Sequence, residues 1–302
     1  GTTLKGFGKA AGIPATTWAS GPSMNTARSN GGGWGEQTSG AVAAGVTPSR
    51  TAATEEFDGS SWTEVNDLNS ARAYVGAAGA NAEAGLLFGG SSPAISPTSG
   101  LGLTESWDGS TWTEVNDLNS NRREIGGTGQ VYTAVLAVGG QGVSPTTTYR
   151  AFTESWDGTN WTEVGDLNSS GSEIACSGSA TSAIAAGGES PGGPRQNKTE
   201  SWDGTSWTEI AELNTSRQGC GATGSDNKSS LVFGGYPVTA KTEFWNGSSW
   251  TELNDLATGR QAIGDSSIGA VAAFAGGGNT PPYTADTELW TADSALADIS
   301  FD

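Results

Sequence analysis

The sequence predicts an all-β protein: a six-bladed β-propeller whose last blade is closed by the N-terminal strand. Two observations carry that prediction. The first is a phrase, clearest as Thr104-Glu-Ser-Trp-Asp-Gly-Ser-Thr-Trp-Thr-Glu-Val115, that starts again at Thr54, Thr153, Thr199 and Thr242, while its first half starts at Thr287. Successive starts are 50, 49, 46, 43 and 45 residues apart, a period of propeller blades rather than helical arrays. The second is where the repeat is cut. The chain enters at Thr16-Thr-Trp18, an outer strand with no partner before it, and leaves at Thr287-Glu-Leu-Trp290, a third strand with none after it. Pairing the two ends completes the sixth blade and removes two open sheet edges.

The elements of a blade follow in order. A linker carries arginine at Arg28, Arg72, Arg122, Arg217 and Arg260, with Gly171 in the fourth position of that column, and leads into a weak first strand. Next comes an apolar run ending in a glycine pair, as in Leu86–Gly90, Val135–Gly140, Ala183–Gly188 and Leu231–Gly235. Short apolar runs bounded by glycine read as strands covered on both faces. The third and fourth strands flank Asp-Gly, which reads as a two-residue hairpin loop. That register sets Trp107 opposite Ser110 and Glu105 opposite Trp112, so Trp107, Trp112, Glu105 and Glu114 share one face. The aromatic columns are Phe57, Trp107, Trp156, Trp202, Trp245 and Trp290 in the third strand, and Trp18, Trp62, Trp112, Trp161, Trp207 and Trp250 in the fourth. Large indoles repeated on one face are expected to cement blade to blade. A single domain spans 16–290. The tails, 1–15 and 291–302, have no place in the ring and are expected to be disordered alone or to dock onto a neighbouring subunit.

Phe88-Gly89-Gly90, then Trp107, Trp112 and Arg122 of the next repeat, resemble the kelch repeat: apolar run, glycine pair, downstream aromatic, tryptophan. The resemblance covers about 16–290 and implies a kelch-type propeller. It departs in having Trp or Phe where the kelch aromatic is usually Tyr, and in a shorter gap to the second tryptophan. The phrasing with Trp-Asp-Gly-Thr and Trp-Thr-Glu is also similar to kelch-like virion proteins of marine phages, which implies a place in a phage particle.

Composition narrows the function. The chain has 32 acidic against 14 basic residues, a net charge of −18. Twenty of those carboxylates fall in repeated columns and read as a solvated acidic rim. The five lysines are scattered, so nucleic-acid binding is not expected. No apolar run is long enough for membrane insertion. The sequence has no histidine, which excludes Ser-His-Asp and Cys-His nucleophiles and most zinc sites. The copper chemistry of galactose oxidase, a kelch-type enzyme, lacks its imidazoles here, and Ser106-Trp-Asp-Gly-Ser-Thr-Trp112 is one residue shorter than the Asp-box of sialidase-type propellers. No metal, cofactor or catalytic residue is expected. Glu124 and Glu173 stand outside the repeat, the pair a glycosidase would need, and read as solvated or axis-lining carboxylates. Cys176 and Cys220 read as two free thiols rather than a bridge.

Specificity is expected on the face carrying the long connections between second and third strands. These are 46–53, 91–103, 141–151, 189–198, 236–241 and 278–286, and they are the least repetitive parts of the chain. They contain Tyr149, Arg150, Arg195, Tyr236 and Tyr283, residue types favoured at contacts. Loops 91–103 and 141–151 are the longest, and Tyr149 with Arg150 is the expected anchor. The reading is a noncatalytic structural or adhesive module of a phage tail, neck or capsid appendage, working inside a larger assembly and meeting other virion proteins, a host-surface receptor or a glycan. The alternatives are a secreted or cell-surface bacterial glycan-binding adhesin and, behind it, a propeller glycosidase.

Overall fold

The computed structural model describes residues 16–93, 100–142, 148–266 and 268–292. The strands form six four-stranded antiparallel sheets, whose inner strands close a ring around one axis, and a two-stranded ribbon of Gln141–Gly142 with Thr148–Tyr149. The first blade runs outward from that axis as Gly32–Glu36, Ser39–Ala43, Thr54–Phe57 and Trp62–Val65. The next four blades repeat this order, with inner strands Gly76–Asn81, Gly126–Val131, Ala175–Ser179 and Gly221–Asp226. The sixth takes Gly264–Asp265, Ala272–Gly276 and Thr287–Ala292 from one end of the chain and Thr16–Ser20 from the other. Thr16 pairs with Ala292, Trp18 with Trp290 and Ser20 with Glu288. Closure is therefore the one the cut repeat predicts, with the last strand running on to Ala292. The tails 1–15 and 293–302, and the loop segments 94–99 and 143–147, lie outside the described residues.

Inner strands crowd the axis, and glycine makes that crowding possible. A Cβ on Gly127 would stand 2.6 Å from the backbone N and O of Ala77 in the neighbouring blade. Farther out, apolar side chains of adjacent blades interdigitate. Between the second and third blades lie Leu86, Phe88, Ile125, Val135, Trp156 and Trp161, all buried.

The hairpin departs from the expected register. Trp107 lies directly opposite Trp112, Ser106 opposite Thr113 and Glu105 opposite Glu114, so the loop has four residues. The side chain of Asp108 sets that length. Its Oδ1 accepts the backbone N–H of Ser110 at 2.9 Å and of Thr111 at 2.8 Å, while Gly109 takes φ 88°. An aspartate that satisfies two loop donors favours this wider turn over a two-residue one. A change of two residues preserves side-chain parity, so both indoles still share a face, with ring centroids 5.3 Å apart.

Two tryptophan roles emerge. Each outer-strand indole reaches back to the preceding blade: Trp112 Nε1 donates to Thr54 Oγ1 at 3.0 Å, Trp161 to Thr104 at 3.1 Å, Trp207 to Thr153 at 3.0 Å, Trp62 to Thr287 at 3.0 Å and Trp18 to Thr242 at 2.9 Å. Trp250 breaks the series by donating to the carbonyl of Ala211 at 3.1 Å. Trp34, outside both columns, fills the inner layer and meets Trp112 edge-on at 5.7 Å.

The expected acidic rim loses one of its columns, six of its twenty carboxylates. Glu64, Glu114, Glu163, Glu209 and Glu252 are exposed, but Glu55, Glu105, Glu154, Glu200, Glu243 and Glu288 are buried. Five of the buried six meet the arginine column: Arg28–Glu55 at 2.6 Å, Arg72–Glu105 at 2.9 Å, Arg122–Glu154 at 2.8 Å, Arg217–Glu243 at 2.9 Å and Arg260–Glu288 at 2.7 Å. The linker asparagine adds a second clamp. Asn119 donates through its backbone N (2.7 Å) and Nδ2 (2.9 Å) to Glu154 Oε2. A carboxylate tolerates burial when its lone pairs are filled this completely.

Candidate functional site

The residue two positions after each arginine-column site takes a left-handed conformation. These are Asn30 (φ 56°), Tyr74 (63°), Glu124 (56°), Glu173 (51°), Gly219 (59°) and Ala262 (53°). Each then donates its backbone N–H to the carbonyl of its counterpart in the preceding blade. Tyr74 donates to Asn30 (2.8 Å), Glu124 to Tyr74 (2.8 Å), Glu173 to Glu124 (3.0 Å), Gly219 to Glu173 (3.1 Å), Ala262 to Gly219 (2.7 Å) and Asn30 to Ala262 (3.1 Å). The six bonds form a closed belt around the axis. Left-handed backbone costs a non-glycine residue about 1–2 kcal/mol, and here the belt offsets it.

The belt rims the axial mouth on the long-loop face. A funnel of about 100 Å³ opens there, lined by the belt residues and, below them, by a collar that includes Val75, Ile125, Ile174, Cys220 and Ile263. Polar residues gather on one side of it. Arg123 Nε lies 3.7 Å from Glu124 Oε1, and Gln218 Nε2 donates to Glu173 Oε2 at 2.8 Å. Burial, then the neighbouring Glu173, pushes Glu124 up to about 7. Burial also raises Glu173, against the Gln218 hydrogen bond. Tyr149 joins this group by hydrogen bonding to Glu189, and burial followed by that carboxylate pushes it up to about 12. Deeper on the axis, burial pushes Asp265 up to about 8 although it accepts the backbone N–H of Ala222.

This arrangement suits hydrogen bonding to a polyol or an amide more than nucleophilic attack. Both thiols are free, and burial raises both, Cys220 to about 11. Among the described residues, no group of three or more Cys, Asp or Glu side chains has metal-binding geometry.

The predicted contact residues divide. Tyr149 hydrogen-bonds Glu189 and lies within electrostatic reach of Glu124 and Glu173. Arg195 stacks on Tyr236, with its guanidinium 4.2 Å from the ring centre, in a separate cluster between the fourth and fifth blades. The Arg150 guanidinium lies 5.3 Å from the ring centre of Phe152, two residues along the chain. Tyr283 bridges to Asn279 in the sixth blade. Sequence reasoning picked out Glu124 and Glu173 at the axis but missed Asn30, Tyr74, Arg123 and Gln218. Their common signal is position relative to the arginine column.

No family model matches the chain, and no curated protein resembles it in sequence. Among solved structures it is similar to the structure of YjhT, a propeller protein, with a TM-score of 0.75 at 14% identity over 90% of this chain and 97% of that one. At such identity the likeness is one of fold, and it agrees with the six-bladed architecture above.

Proposed function

We propose that this propeller is a noncatalytic contact module of a phage particle, a tail, neck or capsid appendage, that engages a virion protein or host-surface receptor through its long-loop face. One observation carries the contact role: Tyr74, Arg123, Glu124, Glu173 and Gln218, which depart from the repeat, gather around the axial mouth of that face, while the arginine column of the repeat is consumed in pairs with buried glutamates. The absence of histidine from the sequence supports a noncatalytic reading. The phrase-level likeness to marine phage virion proteins supports the location. Genes flanking the coding sequence test it: terminase, portal and capsid genes are expected, and a purely metabolic neighbourhood would overturn it. A second reading, a glycan-binding adhesin, draws on the mouth itself, where Tyr74, Glu124, Glu173 and Gln218 offer a ring and several hydrogen-bonding groups to a sugar. A glycan array run beside a hydrolysis screen separates binding from turnover, and loss of the array signal in E173Q would place that binding at the mouth.

A further inference from the structure

The fourth blade keeps the socket of the arginine column without the arginine. Gly171 occupies the backbone position of that column: its carbonyl accepts the N–H of Gly140, as that of Arg122 accepts Gly90 and that of Arg217 accepts Gly188. In the third blade, Arg122 Nη1 donates to the carbonyls of Gly139 (2.7 Å) and Phe152 (2.9 Å), and Nη2 to Glu154 Oε1 (2.8 Å). In the fifth, Arg217 makes the same three bonds to Gly234, Lys241 and Glu243. The fourth-blade acceptors are the carbonyls of Gly187 and Lys198 and the carboxylate of Glu200.

All three acceptors are in place and a cavity stands before them. It is a narrow cleft of about 30 Å³, part open to solvent, with Gly171, Gly187, Gln196, Lys198 and Glu200 in its wall. Gly187 is part-exposed, whereas its counterparts Ala44, Gly89, Gly139, Gly234 and Gly277 are buried. Its carbonyl receives no hydrogen bond from any described residue. Glu200 is 4% exposed and is held by Asn168 N and Nδ2 (both 2.8 Å) and Ser169 N (3.2 Å), yet no cationic nitrogen of the described residues lies within 4 Å of it. Lys198 does not take the missing role: its Nζ is bound to Ser169 Oγ at 2.9 Å and lies 3.9 Å from Glu209.

We propose that this socket binds a guanidinium group from outside the chain, independently of where the module works. A planar fork spans a carboxylate and two carbonyls at once, as the resident arginines do, and it keeps its charge when desolvated. An ammonium, a compact and strongly hydrated point charge, matches this planar set poorly.

Titration of the intact protein with N-ethylguanidinium, followed by calorimetry and amide shifts at constant ionic strength, tests the assignment. Wild type is expected to show one saturable site, with shifts centred on 168–171, 187 and 198–200. E200Q is expected to bind about tenfold more weakly or worse, G171R to lose the site by filling it, and R122G to gain a second one. Absence of saturation in wild type, equal affinity for ethylammonium, or binding unchanged in both E200Q and G171R would overturn the proposal. E200Q decides alone if G171R does not fold. A peptide with a single arginine identifies the source: binding at least as tight as that of the free ion points to a partner's side chain, and selective binding of the free ion and arginine points to small guanidines.

Discussion

Five of the six blades hold a buried arginine–glutamate pair. Removing one partner of such a pair strands the other charge away from water, at about 3–5 kcal/mol. R122M is therefore expected to lower unfolding free energy by that order, and R122M/E154M by distinctly less, because no charge is then left unpaired. Equal losses in a denaturant titration would mean that packing, not charge, dominates. Asp265 works in the opposite sense. Its carboxyl has an ordinary value of 3.8 and stands at about 8 in the folded protein. The folded state thus holds a proton that the unfolded state gives up, and stability falls as pH rises from about 4 to about 8. D265N keeps an acceptor for Ala222 N–H without that liability. The melting temperature of D265N relative to wild type is expected to climb across this range, and a constant difference would contradict the assignment.

At the scale of elements, the hairpin tip shows a side chain deciding backbone geometry. Asp108 is held down to about 2, first by the backbone N–H of Thr111 and then by Ser110. A carboxylate lowered in the folded state stabilises above its unfolded value and loses that contribution as pH falls toward about 2. D108A is expected to melt below wild type by a constant margin above about pH 4, and the margin should shrink with further acidification. A margin that does not change with pH would remove the carboxylate from the account. This tip also marks a limit of sequence reading. Asp-Gly announces a hairpin correctly, but the extra loop residues come from hydrogen bonds to Asp108, which a propensity pattern does not encode. The same limit hid the buried glutamates. Glu105 and Glu114 sit in near-identical Thr-Glu contexts, and only the arginine arriving from the linker tells them apart. At the mouth, Glu124 and Glu173 were legible as departures from the repeat. Asn30 and Tyr74 were not, because what unites the belt is a left-handed backbone rather than a residue type.

For the whole molecule, the decisive feature is that a ring of nearest-neighbour blades has no end once it is closed. The period and the cut repeat made this visible in the sequence, since both ends of the chain carry complementary parts of one blade. Thr16–Ser20 supplies that blade's outer strand, and Trp18 sits between blades, 4.8 Å from Phe233 and 5.3 Å from Trp290 by ring centres, with its Nε1 on Thr242. Deleting residues 1–20 removes the indole, exposes the edge of Thr287–Ala292 and leaves Thr242 without its donor. Trp18 is half-buried, so its loss alone is worth less than the about 3–5 kcal/mol of a fully buried tryptophan, and the freed edge invites pairing with other chains. The deletion is therefore expected to lower the melting temperature sharply and to promote self-association. A synthetic peptide covering 14–22 should reverse both effects, because it restores the missing strand without a covalent link. An unchanged melting temperature in the truncated protein would mean that the ring holds through its inner strands alone and that the N-terminal strand is a covering rather than a clasp.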